Sequence, residues 1–261
     1  MKNTRVLFIG DIIGPIGCKF VKTKLNSFKK ENSIDVVIAN GENSAVDNGI
    51  TIGSAEYLLS AGIDVITTGN HAFKKRSVYD YLNKSHNILR PANFPENTTP
   101  GKGVLEFELN NIKFCVINLM GVHYLEPLRC PFETIDKILE KFNNYLIKIV
   151  DFHAELTSEK RAFGFFVDGR ISAVLGTHTH VQTADAQILP GGTGYITDVG
   201  MVGAIDSVLG VKKEISIKRM KEKIPLKFEH DSNGRYKMDC VILDIDNSTG
   251  KTVFIKNFSL V

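Results

Sequence analysis

Tryptophan is absent from the chain, and the four cysteines, Cys18, Cys115, Cys130 and Cys240, sit at none of the spacings that a zinc knuckle or a redox pair uses. That excludes a disulfide framework or a small structural zinc site as what holds the fold. The cysteines read as free thiols of a reducing compartment, Cys115 and Cys240 lying inside apolar strands. Long hydrophobic runs are lacking too: none approaches the roughly 18 residues that span a bilayer. The opening "MKNTRVLFIGD" enters a strand at once, without the apolar stretch of a signal peptide, so a cytoplasmic protein with no membrane partner is expected. Nor is there a strong excess of either charge, the net being +3 over 261 residues. Such a balance gives no argument for a nucleic-acid or acidic-lipid surface and leaves RNA open, and the one basic cluster, Lys74-Lys75-Arg76, reads as the solvated first turn of a helix. Linkers, repeats and low-complexity segments are missing as well, so residues 1–261 are expected to form a single domain. No heptads or apolar helix faces argue for an interface, and a homo-oligomer stays open.

What the chain does have is an alternation of short β-branched runs with helical patterns. "RVLFIG", "DVVIAN" and "DVITTG" read as strands, and "CKFVKTKLNSFKKEN", "SAEYLLSAG" and "RSVYDYLNKS" as helices between and after them. This is the rhythm of parallel βαβ units. It then breaks. "GVLEFELNNIKFCVINLMG" reads as a hairpin turning at Asn110-Asn111, followed by a helix from Pro131, the strand "YLIKIVDFHAE", a helix from Thr157 and the strand "ISAVLGTHTH". The C-terminal part reads as a meander with turns at "DSNG" and "NSTG". The expected class is α/β: a sandwich of two mixed β-sheets flanked by α-helices.

In open α/β sheets ligands collect at the carboxyl ends of strands. Five such ends carry Asp11, then Glu42 and Asn43, then Asn70 and His71, then His153, then His178 and His180. The glycines after the first strand are spaced GxxxGxxG rather than GxGxxG, which argues against a dinucleotide. Each polar residue has a structural alternative. Asp11 could cap the following helix, Asn43 and Asn70 could be left-handed turn residues, and His153 could be a satisfied core histidine. Four of the seven histidines at this one rim make a metal site the stronger reading, while His86, His123 and His230 read as structural or exposed. On strand alternation, His178 and His180 are expected to share a face. Eight candidates exceed what one ion takes and suit two ions sharing an anionic bridge, for which Glu42 has the two oxygens required. Two metals about 3.5–4 Å apart are the usual clamp for phosphoester hydrolysis. Mixed nitrogen and oxygen donors without thiolate suit iron, manganese or zinc.

The blocks "GDII", "NGENS", "GNHAF", "DFHAE" and "GTHTH" resemble, in order, the five blocks of the calcineurin-like metallophosphoesterases, with two departures. Ile13 stands where that family usually has a second ligand histidine, and Glu42 replaces its bridging aspartate. Both departures, with "LRPANFP", "DFHAELTSEK", "VLGTHTHVQTAD" and "TDVGMVGAIDSVLG", are similar to the bacterial YmdB-like branch, grouped with 2′,3′-cyclic nucleotide phosphodiesterases, over nearly the whole chain. The resemblance implies a first metal on Asp11, Glu42, Asn43 and His180, with Asn43 compensating for Ile13. It implies a second on Asn70, His153 and His178, with Glu42 bridging and His71 as general acid. It implies the two-sheet metallophosphoesterase fold, two metal ions (iron or manganese first, zinc also open), and a small phosphoester, a cyclic nucleotide, as substrate, attacked by a metal-activated hydroxide. Arg90 could meet phosphate or brace its Pro-rich turn. Asp198, Met201, Glu155 and Glu159 are expected to support or shape the site. A metallophosphatase or phosphodiesterase of broader specificity, or a regulatory module binding a nucleotide or an RNA end, is the alternative.

Overall fold

A computed structural model of the protein describes residues 3–261. The chain opens with β1 (Asn3–Ile9), β2 (Asp11–Ile12), α1 (Gly14–Glu31), β3 (Val36–Asn40), α2 (Ile52–Ser60) and β4 (Val65–Thr67). A short 3₁₀ turn (Arg76–Val78) leads into α3 (Tyr79–Lys84). The middle of the chain supplies β5 (Val104–Leu109), β6 (Ile112–Met120), α4 (Pro131–Lys141), β7 (Ile147–His153), α5 (Thr157–Phe166) and β8 (Ala173–Thr177). The short strands β9 (Gln187–Ile188), β10 (Gly194–Ile196) and β11 (Met201–Ala204), then α6 (Lys213–Glu222), β12 (Tyr236–Asp246) and β13 (Thr252–Leu260), complete it.

Two mixed sheets result. One runs β2-β11-β12-β1-β3-β4, with β13 paired to β12; the other runs β5-β6-β7-β8-β10-β9. In the first sheet β1, β3 and β4 are parallel and β12 pairs antiparallel with β1. In the second, β6, β7, β8 and β10 are parallel and β5 closes the edge antiparallel. Parallel pairing is therefore not confined to the start of the chain, since a second parallel set is built from its middle.

Strand alternation assigns side chains to layers. Val6 and Phe8 of β1 and Val36 and Ile38 of β3 pack with Phe114, Val116, Ile147, Ile149, Ala173 and Leu175 of the other sheet, which is the core between the sheets. Leu7, Ile9, Val37 and Ala39 face the opposite way, onto Cys18, Val21, Leu25 and Phe28 of α1 and Leu58 of α2. On the far side Val150, Phe152 and Val174 meet Ile135 and Leu139 of α4 and Phe163 of α5. These strands read as continuous apolar runs because both of their faces are covered.

Local signals account for the elements. Pro15 opens α1, whose buried residues Cys18, Val21, Leu25 and Phe28 recur at helical spacing. Thr51 and Ser54 cap α2 reciprocally. The hairpin turns through Asn110 and Asn111, both left-handed with φ 52° and 64°, as a two-residue type I′ loop requires. Helix α6 was not legible in the sequence: Ser216 is its buried residue while Ile217 and Met220 face solvent, so no apolar stripe announces it. Among the described residues, no helix is long and apolar enough to cross a membrane.

Candidate metal centre

The carboxyl ends of parallel strands from both sheets meet at one place. Asp11 lies in β2, Glu42 and Asn43 follow β3, and Asn70 and His71 follow β4. From the second sheet, His153 is the last residue of β7, and His178 and His180 follow β8. Asp11, Glu42, Asn43 and His153 are almost wholly buried, the first and last at 0% exposure.

The eight side chains form two groups joined at Glu42. In one, His153 Nε2 lies 2.9 Å from Asn70 Oδ1, 3.0 Å from His178 Nδ1 and 3.3 Å from Glu42 Oε1. In the other, His180 Nε2 lies 3.3 Å from Asn43 Nδ2 and 3.6 Å from Asp11 Oδ1. Asn43 Nδ2 donates to Glu42 Oε1 at 3.2 Å, and the His71 amide donates to Glu42 Oε2 at 3.0 Å. The His71 ring sits beside both, its Nδ1 2.9 Å from Asn43 Oδ1. Since that oxygen only accepts, Nδ1 carries the proton, and Nε2 makes no hydrogen bond among the described residues.

Histidines 178 and 180 converge for a reason other than strand alternation. Strand β8 ends at Thr177, and both histidines have left-handed backbones, φ 106° and 63°. The turn sends His178 to His153 and Glu155 (Nε2 to Oε2, 3.0 Å), and His180 to Asp11 and Asn43. Asp11 is not a helix cap either, since Ile13 is the N-cap of α1 and makes no side-chain cap bond. Ile13, at the position of the missing histidine, is 3% exposed and packs against Gly203 and Gly210, and its aliphatic side chain offers no donor atom.

Further residues hold these side chains in place. His153 Nδ1 meets Thr177 Oγ1 at 2.9 Å, and Thr177 Oγ1 donates to Asp151 Oδ1 at 2.7 Å. Asp151 also accepts from Asn40 Nδ2 (3.1 Å) and from the Thr67 hydroxyl. Sequence reasoning passed over Asp151, two residues before His153, although a carboxylate in the middle of an apolar strand was the available signal. Asp198 holds the turn between His178 and His180: Oδ2 accepts from the Thr179 amide at 2.9 Å and from the buried Lys160 ammonium at 2.8 Å. Glu159 serves a different loop, accepting from the Val122 and His123 amides. Arg90 shares no hydrogen bond or ion pair with the eight.

The electrostatics favour a cation at the centre. Burial opposes charge on His153, but the Glu42 carboxylate, with Asp11 and Asp151 behind it, lifts the imidazole to about 9. Burial, then the neighbouring charge on His153, pushes His178 down to about 4. Glu42 is held well below the usual carboxylate range by His153 and His71 against the cost of its burial. Burial pushes Asp151 up to about 7. Donor atoms of Glu42, His153 and His178 all lie within 4.8 Å of one another, and Asp11 Oδ1 is buried with no hydrogen-bond partner. A buried carboxylate oxygen that accepts no hydrogen bond, its nearest ring nitrogen being His180 Nε2 at 3.6 Å, is costly unless a cation meets it. The residues present therefore fit metal ions.

Comparison with known proteins agrees with this arrangement. The family model described as YmdB-like protein matches residues 7–258. The chain is 45% identical over 255 residues, 97% of its own length and 95% of the other's, to the 2′,3′-cyclic-nucleotide 2′-phosphodiesterase of Bacillus subtilis. A hypothetical protein from Thermus thermophilus is similar in structure with a TM-score of 0.91 and 38% identity, covering 98% of each chain. A novel phosphatase from Mycoplasma pneumoniae gives a TM-score of 0.94 and 34% identity, covering 100% of this chain and 94% of that one. The chain has the calcineurin-like metallophosphoesterase fold and belongs to the YmdB-like family.

Proposed function

We propose that the protein is a metal-dependent phosphodiesterase that opens 2′,3′-cyclic nucleotides, residues 1–261 acting as one catalytic domain. The observation that carries this reading is the convergence of Glu42, His153 and His178 beside a buried Asp11 oxygen that has no hydrogen-bond partner. The B. subtilis relative's substrate supports the choice of ester. Asp11, Glu42, Asn43 and His180 would hold one ion, and Glu42, Asn70, His153 and His178 the other. The donors are nitrogen and oxygen without thiolate, which suits iron or manganese, with zinc also accommodated. When bound, such ions acidify water to supply the nucleophile and neutralise the non-bridging phosphate oxygens.

The chain's own contribution is positioning and a proton. With Nδ1 held by Asn43 Oδ1, His71 keeps Nε2 without a hydrogen bond among the described residues, and its side chain is 27% exposed, so a substrate can reach the ring. As imidazolium it donates the Nε2 proton to the departing ribose oxygen as the phosphorus–oxygen bond breaks. Its amide, bonded to Glu42 Oε2, fixes where that ring stands relative to the bridge.

The test is hydrolysis of 2′,3′-cyclic AMP by protein loaded with manganese or iron. His71→Ala should keep its metal and lose about 10²–10⁴ in turnover, whereas Asn70→Ala and His178→Ala should lose metal. Full activity in the His71 variant would remove the acid assignment, and unchanged metal content in the others would remove theirs. A phosphomonoesterase is the second reading, favoured by the M. pneumoniae relative's description as a phosphatase. Turnover of a phosphomonoester with the cyclic nucleotide inert would select it.

A further inference from the structure

The segment "LRPANFP" plays no part in the metal centre, yet it carries a buried cation. Arg90 is 3% exposed, and its Nη1 donates to the Pro91 carbonyl at 2.8 Å. Its Nε has no hydrogen-bond partner, and among the described residues no carboxylate lies within ion-pair distance. Burial pulls the guanidinium's pKa down, against the weaker pull of Glu96, which lines the same cavity but makes no ion pair with it. A buried guanidinium with no carboxylate in contact is expensive to maintain.

Arg90 lines a cavity of about 450 Å³ between the start of β5 and helix α4, a volume in the range of small-molecule sites. Four further cations surround it: Lys102, Arg129, Lys137 and Lys141. None of them makes an ion pair among the described residues. Lys137 and Lys141 stand four apart on one face of α4, where like charges repel. Two carboxylates, Glu96 and Glu106, line the same cavity against its five cations, and Glu106 also accepts the Tyr145 hydroxyl. The frame is set by the backbone: the Arg90 amide donates to Lys102 O at 3.0 Å, and the buried Asn93 side chain donates to Arg129 O at 3.1 Å. Apolar surface from Ala92, Val104 and Phe142 completes the wall. No residue is shared with the metal centre.

We infer that this cavity is a second, non-catalytic binding site for a phosphomonoester with a partly apolar body, of the nucleoside monophosphate class. Arg90 at the base and the lysines at the rim would supply the counter-charge to the dianion, and the apolar wall would take the nucleoside. The inference stands whether or not the metal centre acts on cyclic nucleotides, because it rests on other residues.

Calorimetric titration of the whole protein with 5′-AMP tests it, run with and without EDTA so that binding at the metal centre separates out, and with adenosine as the uncharged control. The expected result is EDTA-insensitive binding of 5′-AMP, weakened about tenfold or more by Arg90→Met and by Lys137→Glu/Lys141→Glu. Adenosine should not bind, and raising KCl should weaken the nucleotide's binding. Because Arg90 is buried, the exposed double variant keeps the test independent of folding. It should hydrolyse substrate at the wild-type rate, and Arg90→Met should melt no lower than wild type in the absence of ligand. Equal 5′-AMP affinity in all three proteins would overturn the site. So would Arg90→Met melting several degrees lower while the double variant binds normally, which would make the guanidinium a structural element. Variant-sensitive binding of an acidic peptide or of oligouridylate, with 5′-AMP silent, would overturn the ligand class.

Discussion

Gly69 stands where any side chain would collide with the site's own donors: a Cβ there would lie 2.2 Å from His153 Cδ2 and 2.5 Å from Glu42 Oε2. Both neighbours are buried and held from several sides, so neither can move aside cheaply. Gly69→Ala should therefore fold, judged by circular dichroism, but bind less metal than wild type by elemental analysis; full metal content would show that His153 and Glu42 yield. Thr177 acts on the same imidazole from the other side. Its hydroxyl bridges His153 Nδ1 and Asp151 Oδ1, which fixes the ring and leaves Nε2 facing the centre. Thr177→Val should weaken metal affinity by about 10–100-fold, the usual effect of removing a group that orients a ligand. Thr177→Ser, which keeps the hydroxyl, should restore most of it. A metal titration in which the Val and Ser variants match wild type would sink this role.

At the scale of elements, the turn after β8 depends on a buried ion pair. The Lys160 ammonium from α5 reaches the Thr177 carbonyl at 2.7 Å and Asp198 Oδ2 at 2.8 Å, and that same oxygen accepts the Thr179 amide. Lys160 thereby ties a helix to the loop that carries His178 and His180, and it neutralises a carboxylate that is itself 0% exposed. Lys160→Met leaves Asp198 buried and unpaired, so a loss of about 3–5 kcal/mol in urea unfolding is expected, together with reduced metal binding. A loss below about 1 kcal/mol would mean that the site relaxes enough to hydrate Asp198. Close backbone approach adds to this rigidity: a Cβ at Gly176 would lie 1.8 Å from Thr197 O, so only glycine lets β8 and the segment after β10 come this near.

For the whole molecule, the proposed donors come from both sheets. Asp11, Glu42, Asn43 and Asn70 lie in or after β2, β3 and β4 of one sheet, and His153, His178 and His180 end or follow β7 and β8 of the other. Ions held there would cross-link the sheets at one end of the core between them and would bind the native state alone. At free metal about 1,000-fold above Kd that linkage is worth about 4 kcal/mol. For a chain of this length this corresponds to a fall in Tm of about 10 °C on adding EDTA. An unchanged Tm on chelation would show that no ion bridges the sheets.

Much of this was legible in the sequence. Apolar β-branched runs marked the buried parallel strands, because a strand covered on both faces has no polar alternation to show. The polar residues at the ends of those runs named the eight that meet, because strand ends are where loops can aim side chains at a ligand. What the sequence could not show was decided by contacts distant along the chain. The left-handed turn that separates His178 from His180 is held by Asp198, Asp11 and Leu209, each remote in sequence or from another element. The Asp151 network needs Asn40, Thr67 and Thr177 from three strands in two sheets. Helix α6 carries no periodic apolar signal, and the cavity around Arg90 exists only because α4 packs beside the start of β5. Local side-chain chemistry determined which residues could serve a metal site; the packing of two sheets against each other determined where each one points.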